Sequence, residues 1–480
     1  MRSHRHTAGG SSRGRGRGSR ALVRGALGVA LAGGALTSAC SPDKLLEVTD
    51  PDIVNPEVLR TPAGADALRL GALLQLSKAT GGNDQVDVNT SNIDTMILLS
   101  GLLADEFRSG DTFVQRDETD RRSVQAQNAN VDGAYRAIQR ARVNAQLAAA
   151  AIAEFNPDAE AWHVPQMYWV ESYAEVLLAE YFCSSVPVSE ATLEGTIANS
   201  AGLTTQALLE RAIAHADTGL ARLGTATGGE TDRVRQALQV TRGRALLGLN
   251  RPADASTAVQ GVPTAFTYDF FFNQTAIFNQ LWDFVNNQGR YTVSAGEGRN
   301  GLNFAAGDPR VPVCRGGDAT CRAAGVTRTN IFDTSNQATI PFWVQLRYPS
   351  RETPFPAVSG IEARLIEAEA RLKSGGDWLG ALNALRATRT GLTPLTDPGT
   401  EAARVDLLFR ERAYWLFGTG HRLGDLRRLV RQYGRSAESV FPTGAYVKGS
   451  EYGTDVSFPV PQSEENNPSY QAASCVTSSA

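Results

Sequence analysis

The sequence predicts a mainly α-helical protein made of tetratricopeptide-like helix pairs, with a loop-rich insertion that contains short β pieces. Three observations carry this. Apolar residues recur at helical spacing in several segments, those segments come in pairs divided by Gly-rich turns, and one long stretch rich in Gly, Asn and aromatic residues interrupts them. With 480 residues, 42% hydrophobic and 20% charged, the chain has an ordinary globular composition and can bury a large core.

Residues 1–39 read as a lipoprotein signal peptide. They carry seven arginines (Arg2, Arg5, Arg13, Arg15, Arg17, Arg20, Arg24) and no acid, followed by the weakly apolar run Gly25 to Ala39. That run is shorter than the roughly 20 residues a bilayer span needs, so it suits a signal core better than a permanent anchor. Thr37, Ser38 and Ala39 then lead into Cys40. This arrangement resembles a lipobox, with Thr37 where a Leu is usual, and it makes Cys40 the expected lipidation site and membrane anchor. Taking the seven leader arginines from the 47 basic residues leaves 40 against 50 acidic ones, a net of -10. So acidic a chain has no broad positive field, which argues against a nucleic-acid partner.

Residues 40–61 form a tether in which Glu47 to Pro56 (EVTDPDIVNP) signals turns. From Pro62 the chain reads as one helical domain, 62–480. Thr204 to Leu223 places Leu209, Ile213, Ala216 and Leu220 on one stripe, and Asp232 to Asn250 repeats the pattern with Val234, Leu238, Ala245 and Leu249. Gly224, Gly228 and Gly229 lie between them, so the two should pack as an antiparallel hairpin. Similar pairs are Asn128 to Ile152 with Pro165 to Tyr181, and Ile361 to Lys373 with Trp378 to Thr388. No strict 34-residue period emerges. The insertion spans about 262–359, with strand-like pieces at Tyr291 to Ser294 and Thr339 to Leu346.

With Cys40 lipidated, four cysteines remain for an oxidising compartment. Cys314 and Cys321, close together in a Gly-rich loop, are the preferred pair, and Cys183 with Cys475 would then tie the C-terminal segment back to a helix end. A zinc site is the rival, but the short CxxC pairs of tetrahedral sites are missing and His is scarce. No metal or cofactor is expected.

Catalytic signatures are thin. Gly296 to Gly301 (GEGRNG) matches a dinucleotide glycine pattern, but LNFAAGDPR follows where a helix should open. Asp87, Asn89 and Ser91 alternate like calcium-loop ligands without the loop glycine or the closing Glu. Beyond the leader only His163, His215 and His421 remain, with no HExxH and no GxSxG, so the chain is not expected to be an enzyme. A surface hydrolase would need two carboxylates facing across a pocket at about 5 to 10 Å. Phe409 to Arg428 (FRERAYWLFGTGHRLGDLRR) embeds Glu411, Arg412, Arg422, Asp425 and Arg427 beside apolar stripes. Arginine forks on carboxylates at a helix junction are expected to be structural.

Three blocks, in order, resemble the SusD/RagB family of outer-membrane nutrient-binding lipoproteins: Ile361 to Gly376 (IEARLIEAEARLKSGG), Glu411 to Arg428, and Phe458 to Tyr470 (FPVPQSEENNPSY). Leu416, Phe417, Gly418 and Thr419 replace the family's usual Phe-Glu-Gly pattern, which removes a carboxylate. The last block is one residue short between Glu464 and Asn467. The resemblance implies a SusD-like fold, surface display through the lipid anchor, and pairing with a SusC-like TonB-dependent outer-membrane transporter that receives a glycan or a peptide ligand. A protein-docking helical-repeat scaffold is the alternative. Binding a sugar takes flat apolar surfaces for the ring faces and polar groups for the hydroxyls. Trp282, Tyr291, Trp343, Arg347 and Tyr348, in or near the insertion, are therefore the candidate ligand contacts. Trp162, Trp169, Trp378, Trp415 and the Tyr268 to Phe272 cluster are expected in the core.

Overall fold

Thr61, Asn128, Thr204, Ser359, Asp377 and Thr400 each accept a hydrogen bond from a backbone N–H two or three residues onward, and each stands at the start of a helix. Such caps satisfy donors that the first helical turn leaves free, so the polar residues just ahead of the apolar stripes fix where helices begin. The structure, a computed structural model, describes residues 60–84, 94–331, 340–471 and 475–480. The signal segment, Cys40, nearly all of the tether, and Asp87, Asn89 and Ser91 lie outside the described residues.

The helices are α1 (Pro62–Thr80), α2 (Met96–Leu103), α3 (Val114–Asp120), α4 (Ala129–Phe155), α5 (His163–Tyr181), α6 (Thr205–Leu223), α7 (Gly229–Gly248), α8 (Pro252–Val259), α9 (Ala319–Ala323), α10 (Gly360–Ser374), α11 (Trp378–Ala387), α12 (Glu401–Trp415), α13 (Arg422–Tyr433) and α14 (Ala437–Val440). The expected hairpins form: α4 packs on α5, α6 on α7 and α10 on α11, while α1 covers α4 and α5 also lies against α6. Helix α7 starts at Gly229, ahead of the expected Asp232, because the Asp232 carboxylate reaches back to accept from Gly228 N–H at 2.9 Å. Trp169 shows how the pairs lock. Its ring lies 4.3 Å from that of Tyr268, and its Nε1 donates to Thr241 Oγ1 of α7 at 3.1 Å.

The strands are β1 (Gly82–Asp84), β2 (Phe107–Ser109), β3 (Glu190–Ala191), β4 (Ile197–Ala198), β5 (Thr267–Phe270), β6 (Ile277–Asn279), β7 (Tyr291–Val293), β8 (Val313–Arg315), β9 (Trp343–Gln345) and β10 (Phe355–Ser359). They form two-stranded ribbons only. Strand β5 runs antiparallel to β10, with Thr267 opposite Ser359 and Phe270 opposite Phe355, so the ends of the insertion meet. The chain thus leaves α8 and re-enters at α10 beside it, and the helical repeat continues across the insertion. Strand β7 pairs with β2, Ser109 opposite Tyr291, which lays the insertion on the N-terminal helices.

Both expected disulfides are present: Cys183–Cys475 with Cα atoms 5.2 Å apart, and Cys314–Cys321 at 5.5 Å. The second sits in a small apolar cluster with Val326, Ile331, Phe342 and Val344. Trp169, Trp378 and Trp415 are buried as expected, and Trp162 packs half-buried under the Arg69 guanidinium, 5.0 Å from its ring. In the Tyr268 to Phe272 cluster, Phe271 departs from expectation: alternation along the strand turns Tyr268, Phe270 and Phe272 inward and leaves Phe271 exposed. No helix among the described residues is long and apolar enough to cross a membrane.

Candidate ligand-binding surface

The charged run at the α12–α13 junction is framework. Arg412 clasps Asp425 through Nε at 2.8 Å and Nη2 at 2.9 Å, and Arg428 adds a third bond to Asp425 at 2.8 Å while also pairing with Glu369. Arg422 holds Asp105 in a two-pronged grip at 2.6 and 2.8 Å. Arg310 and Arg386 meet opposite oxygens of Glu411 at 2.6 and 2.7 Å. Arg427 has no carboxylate partner among the described residues and donates instead to the carbonyls of Ala179 and Glu180. Burial and the neighbouring Arg431 push its pKa down to about 9. All five of the singled-out residues are buried, which fits the structural reading.

The acids with the most strongly raised pKa values are also interior. Burial pushes Glu106 up to about 8, and burial with the nearby Glu297 pushes Asp120 up to about 8. Asp120 Oδ2 accepts from Ser109 N–H at 2.8 Å and from the Tyr446 hydroxyl at 2.9 Å, while Glu297 accepts from Arg108 and the Tyr452 hydroxyl, each at 2.7 Å. These carboxyls are buried in the core. Among the described residues, no group of three or more His, Cys, Asp or Glu side chains is placed to hold a metal ion.

The nominated aromatics divide. Tyr291 is 0% exposed and its hydroxyl donates to Asp94 at 2.6 Å, and Tyr348 is 2% exposed with its hydroxyl on the Gly418 carbonyl at 3.1 Å. Neither ring presents a face to a ligand. This corrects the expectation for both: all three residues of β7 are buried, so Tyr291 has no outward side to turn to, and Tyr348 is pinned inward by its hydroxyl on Gly418 and its N–H on the Gln345 side-chain oxygen at 2.7 Å. Trp282 and Trp343 are half-buried against the core. Trp343 is fixed by its backbone, which exchanges two hydrogen bonds with Thr292 Oγ1 of β7, at 2.7 and 2.9 Å. Arg347 lies apart, in a cleft it shares with Trp415.

In this region a ring that does face outward is Phe113, 52% exposed, with Val114 beside it at 68%. It stands just past the end of the β2–β7 ribbon, where Gly110 N–H donates to the Arg290 carbonyl at 2.8 Å and so brings the two segments together. The Arg290 guanidinium lies 5.2 Å from the Phe113 ring centre and that of Arg116 lies 5.1 Å away, within cation–π range. Arg116 is anchored below: it grips Asp94 at 2.7 and 2.8 Å and Asp111 at 2.8 Å. Burial works against the Arg116 charge, and Asp94, Tyr291 and Asp111 together more than offset it, so its pKa stands above the usual arginine value. Asp111 in turn accepts from Phe113 N–H at 3.1 Å and faces Arg290 at 3.6 Å. The result is a rigidly seated aromatic surface ringed by a guanidinium, a carboxylate and the Gln288 amide, which bonds Arg290 at 2.5 Å. Such a set stacks on an apolar ring face while exchanging hydrogen bonds with hydroxyls at its edge. Neither Phe113 nor Arg290 stood out in the sequence, since only the β2–β7 register brings them together.

No family model matches the chain, and no curated protein matches it. Solved structures do. A SusD-like carbohydrate-binding protein from Bacteroides fragilis superposes with a TM-score of 0.63 at 14% identity, covering 86% of this chain and 99% of its own. A SusD superfamily protein from Parabacteroides distasonis gives a TM-score of 0.59 at 12% identity over 85% of this chain and 98% of its own. One from Bacteroides vulgatus gives 0.58 at 13% identity over 86% and 99%.

Proposed function

We propose, starting from the SusD-like fold that these structures share with the chain, that the protein is a nutrient-binding lipoprotein of the outer membrane. It is anchored through Cys40, binds a glycan, and passes it without bond breaking to a SusC-like TonB-dependent transporter. The observation that carries the glycan reading is the exposed Phe113 ring seated on Arg116 and flanked by Arg290 and Asp111. An aromatic that open to water is a poor core residue and a good stacking surface for a pyranose face. Trp343, half-buried on the β8–β9 ribbon, and Trp282, half-buried at the start of the helical turn Trp282–Asn287 that packs on β7 and β9, extend the proposed site along the insertion. The carbohydrate-binding description of the Bacteroides fragilis neighbour supports the same ligand class.

The test is binding of a panel of fluorescently labelled oligosaccharides to the full-length protein in detergent and to its Phe113→Ala variant. The wild type is expected to retain at least one glycan, and the variant to lose about tenfold or more in affinity with an unchanged melting temperature. A folded wild type that binds nothing in a broad panel, or a Phe113→Ala variant that binds as well, overturns this reading.

A further inference from the structure

Where the insertion meets the helical repeat, a cleft of about 380 Å³ is lined by Arg310, Pro312, Arg347, Ile361, Arg389 and Trp415 among others. That volume falls within the range of small-ligand pockets, roughly 300–1,000 Å³. Arg310 is fully committed: it bonds Asp308 at 2.9 and 2.7 Å and Glu411 at 2.6 Å. Arg386 takes the other Glu411 oxygen at 2.7 Å, so these two arginines and two carboxylates cancel. Arg347 and Arg389 differ. Arg347 donates to the Trp415 carbonyl at 3.3 Å and Arg389 to the Pro309 carbonyl at 2.6 Å, and neither meets a carboxylate among the described residues. Glu106, whose field reaches Arg347, does not compensate it, because burial pushes that carboxyl up to about 8 and keeps it mostly protonated at neutral pH. The cleft therefore holds two uncancelled positive charges.

Trp415 supplies an independent sign. It is 6% exposed, lines the cleft, and its indole N–H has no hydrogen-bond acceptor among the described residues. Buried donors nearly always find a partner, so one left over in a cleft wall points to an acceptor from outside the chain. The Arg310 guanidinium lies over its ring, 5.4 Å from the ring centre.

We propose that this cleft is a subsite for a carboxylate-bearing sugar, with Arg347 and Arg389 taking the carboxylate, Trp415 Nε1 supplying the leftover donor, and Ile361 and Pro312 covering an apolar face of the ring. Guanidinium forks match the planar carboxylate geometrically, and the apolar wall favours a ring over a hydrated inorganic anion. This inference rests on the glycan reading and narrows it to acidic glycans, bound at a place distinct from Phe113.

The experiment compares trigalacturonate with its fully methyl-esterified form, which keeps the rings and removes the charge, by calorimetric titration of the full-length protein in detergent. The acid is expected to bind about tenfold more tightly than the ester at low salt, with the margin shrinking as salt is added. In an Arg347→Gln/Arg389→Gln variant the acid should fall to the level of the ester, and Arg347→Lys/Arg389→Lys should restore part of the margin. Equal binding of acid and ester, a preference that survives in the double Gln variant, or no binding of either form overturns the subsite. Neutral glycans that still bind in a Phe113-dependent way would then leave the broader reading standing, whereas loss of all glycan binding removes both.

Discussion

Arg412 and Asp425 face each other across the α12–α13 junction through two parallel hydrogen bonds of 2.8 and 2.9 Å, both side chains buried. Asp425 also takes Arg428, so one carboxylate holds two guanidinium groups in the interior. Removing its charge takes from Arg412 its two-pronged partner, while Arg428 keeps Glu369. Asp425→Asn is expected to destabilise the protein by roughly 3–5 kcal/mol in urea unfolding, because the penalty of an uncompensated buried charge exceeds what the pair itself contributes. Replacing Asp425 and Arg412 together by apolar residues of similar volume should cost less than the single change. A double variant as unstable as Asp425→Asn would contradict this account.

Two sets of buried acids pull the pH dependence in opposite directions. Burial raises Glu106 from 4.5 to about 8, so between those values the folded state holds a proton that the unfolded chain has released, and stability falls as pH rises through that window. Asp120, raised by burial and Glu297 to about 8, acts the same way. Asp425 and Glu369, both opposed by burial, are lowered by Arg412 and Arg428, Asp425 well below the usual carboxylate range, so they stabilise the fold above their unfolded values, and that contribution is lost as pH falls. The melting temperature should therefore peak in the weakly acidic range and be lower at pH about 8.5 than at about 5.5. Glu106→Gln should flatten the alkaline limb. A wild-type curve that rises steadily from pH 5.5 to 8.5 would rule the assignment out.

How much of this was legible in the sequence depends on whether the signal is local. Helix positions were, because the cap residues Thr204 and Ser359 and the apolar stripes after them act within a turn. The short β pieces of the insertion were too, since a composition shift marks the stretch that carries them. The proposed binding surface was not. Phe113 and Arg290 lie far apart in the chain and meet only because Ser109 stands opposite Tyr291 in a ribbon buried on both faces, where strand alternation gives no clue to which side chains reach water. Aromatic content alone then pointed to Tyr291 and Tyr348, which form the core beneath.

The two disulfides should contribute unequally. Cys183–Cys475 spans 292 residues and Cys314–Cys321 only 7. Chain-entropy arguments assign about 5–6 kcal/mol to a cross-link of the first kind and about 2 kcal/mol to one of the second. Cys475→Ser is thus expected to lower the denaturant midpoint well beyond Cys314→Ser, and equal shifts would show that strain or residual structure in the unfolded state governs instead.

The lipid anchor and the transporter are tested in the native outer membrane. Palmitate labelling is expected for the wild type and should vanish in Cys40→Ala, because the acyl chains attach at that sulfur and at the amine freed by cleavage before it. Labelling that persists without Cys40 would refute the anchor. A mild-detergent pull-down of the tagged, lipidated protein should bring with it a large TonB-dependent barrel. Recovery of periplasmic proteins alone, or of nothing, would shift the weight to a docking scaffold. Because the Phe113 and Arg347 surfaces lie on the described domain and not at the anchor, Cys40→Ala should release the protein from the membrane with its glycan affinity intact, which separates the tether from the binding site in one comparison.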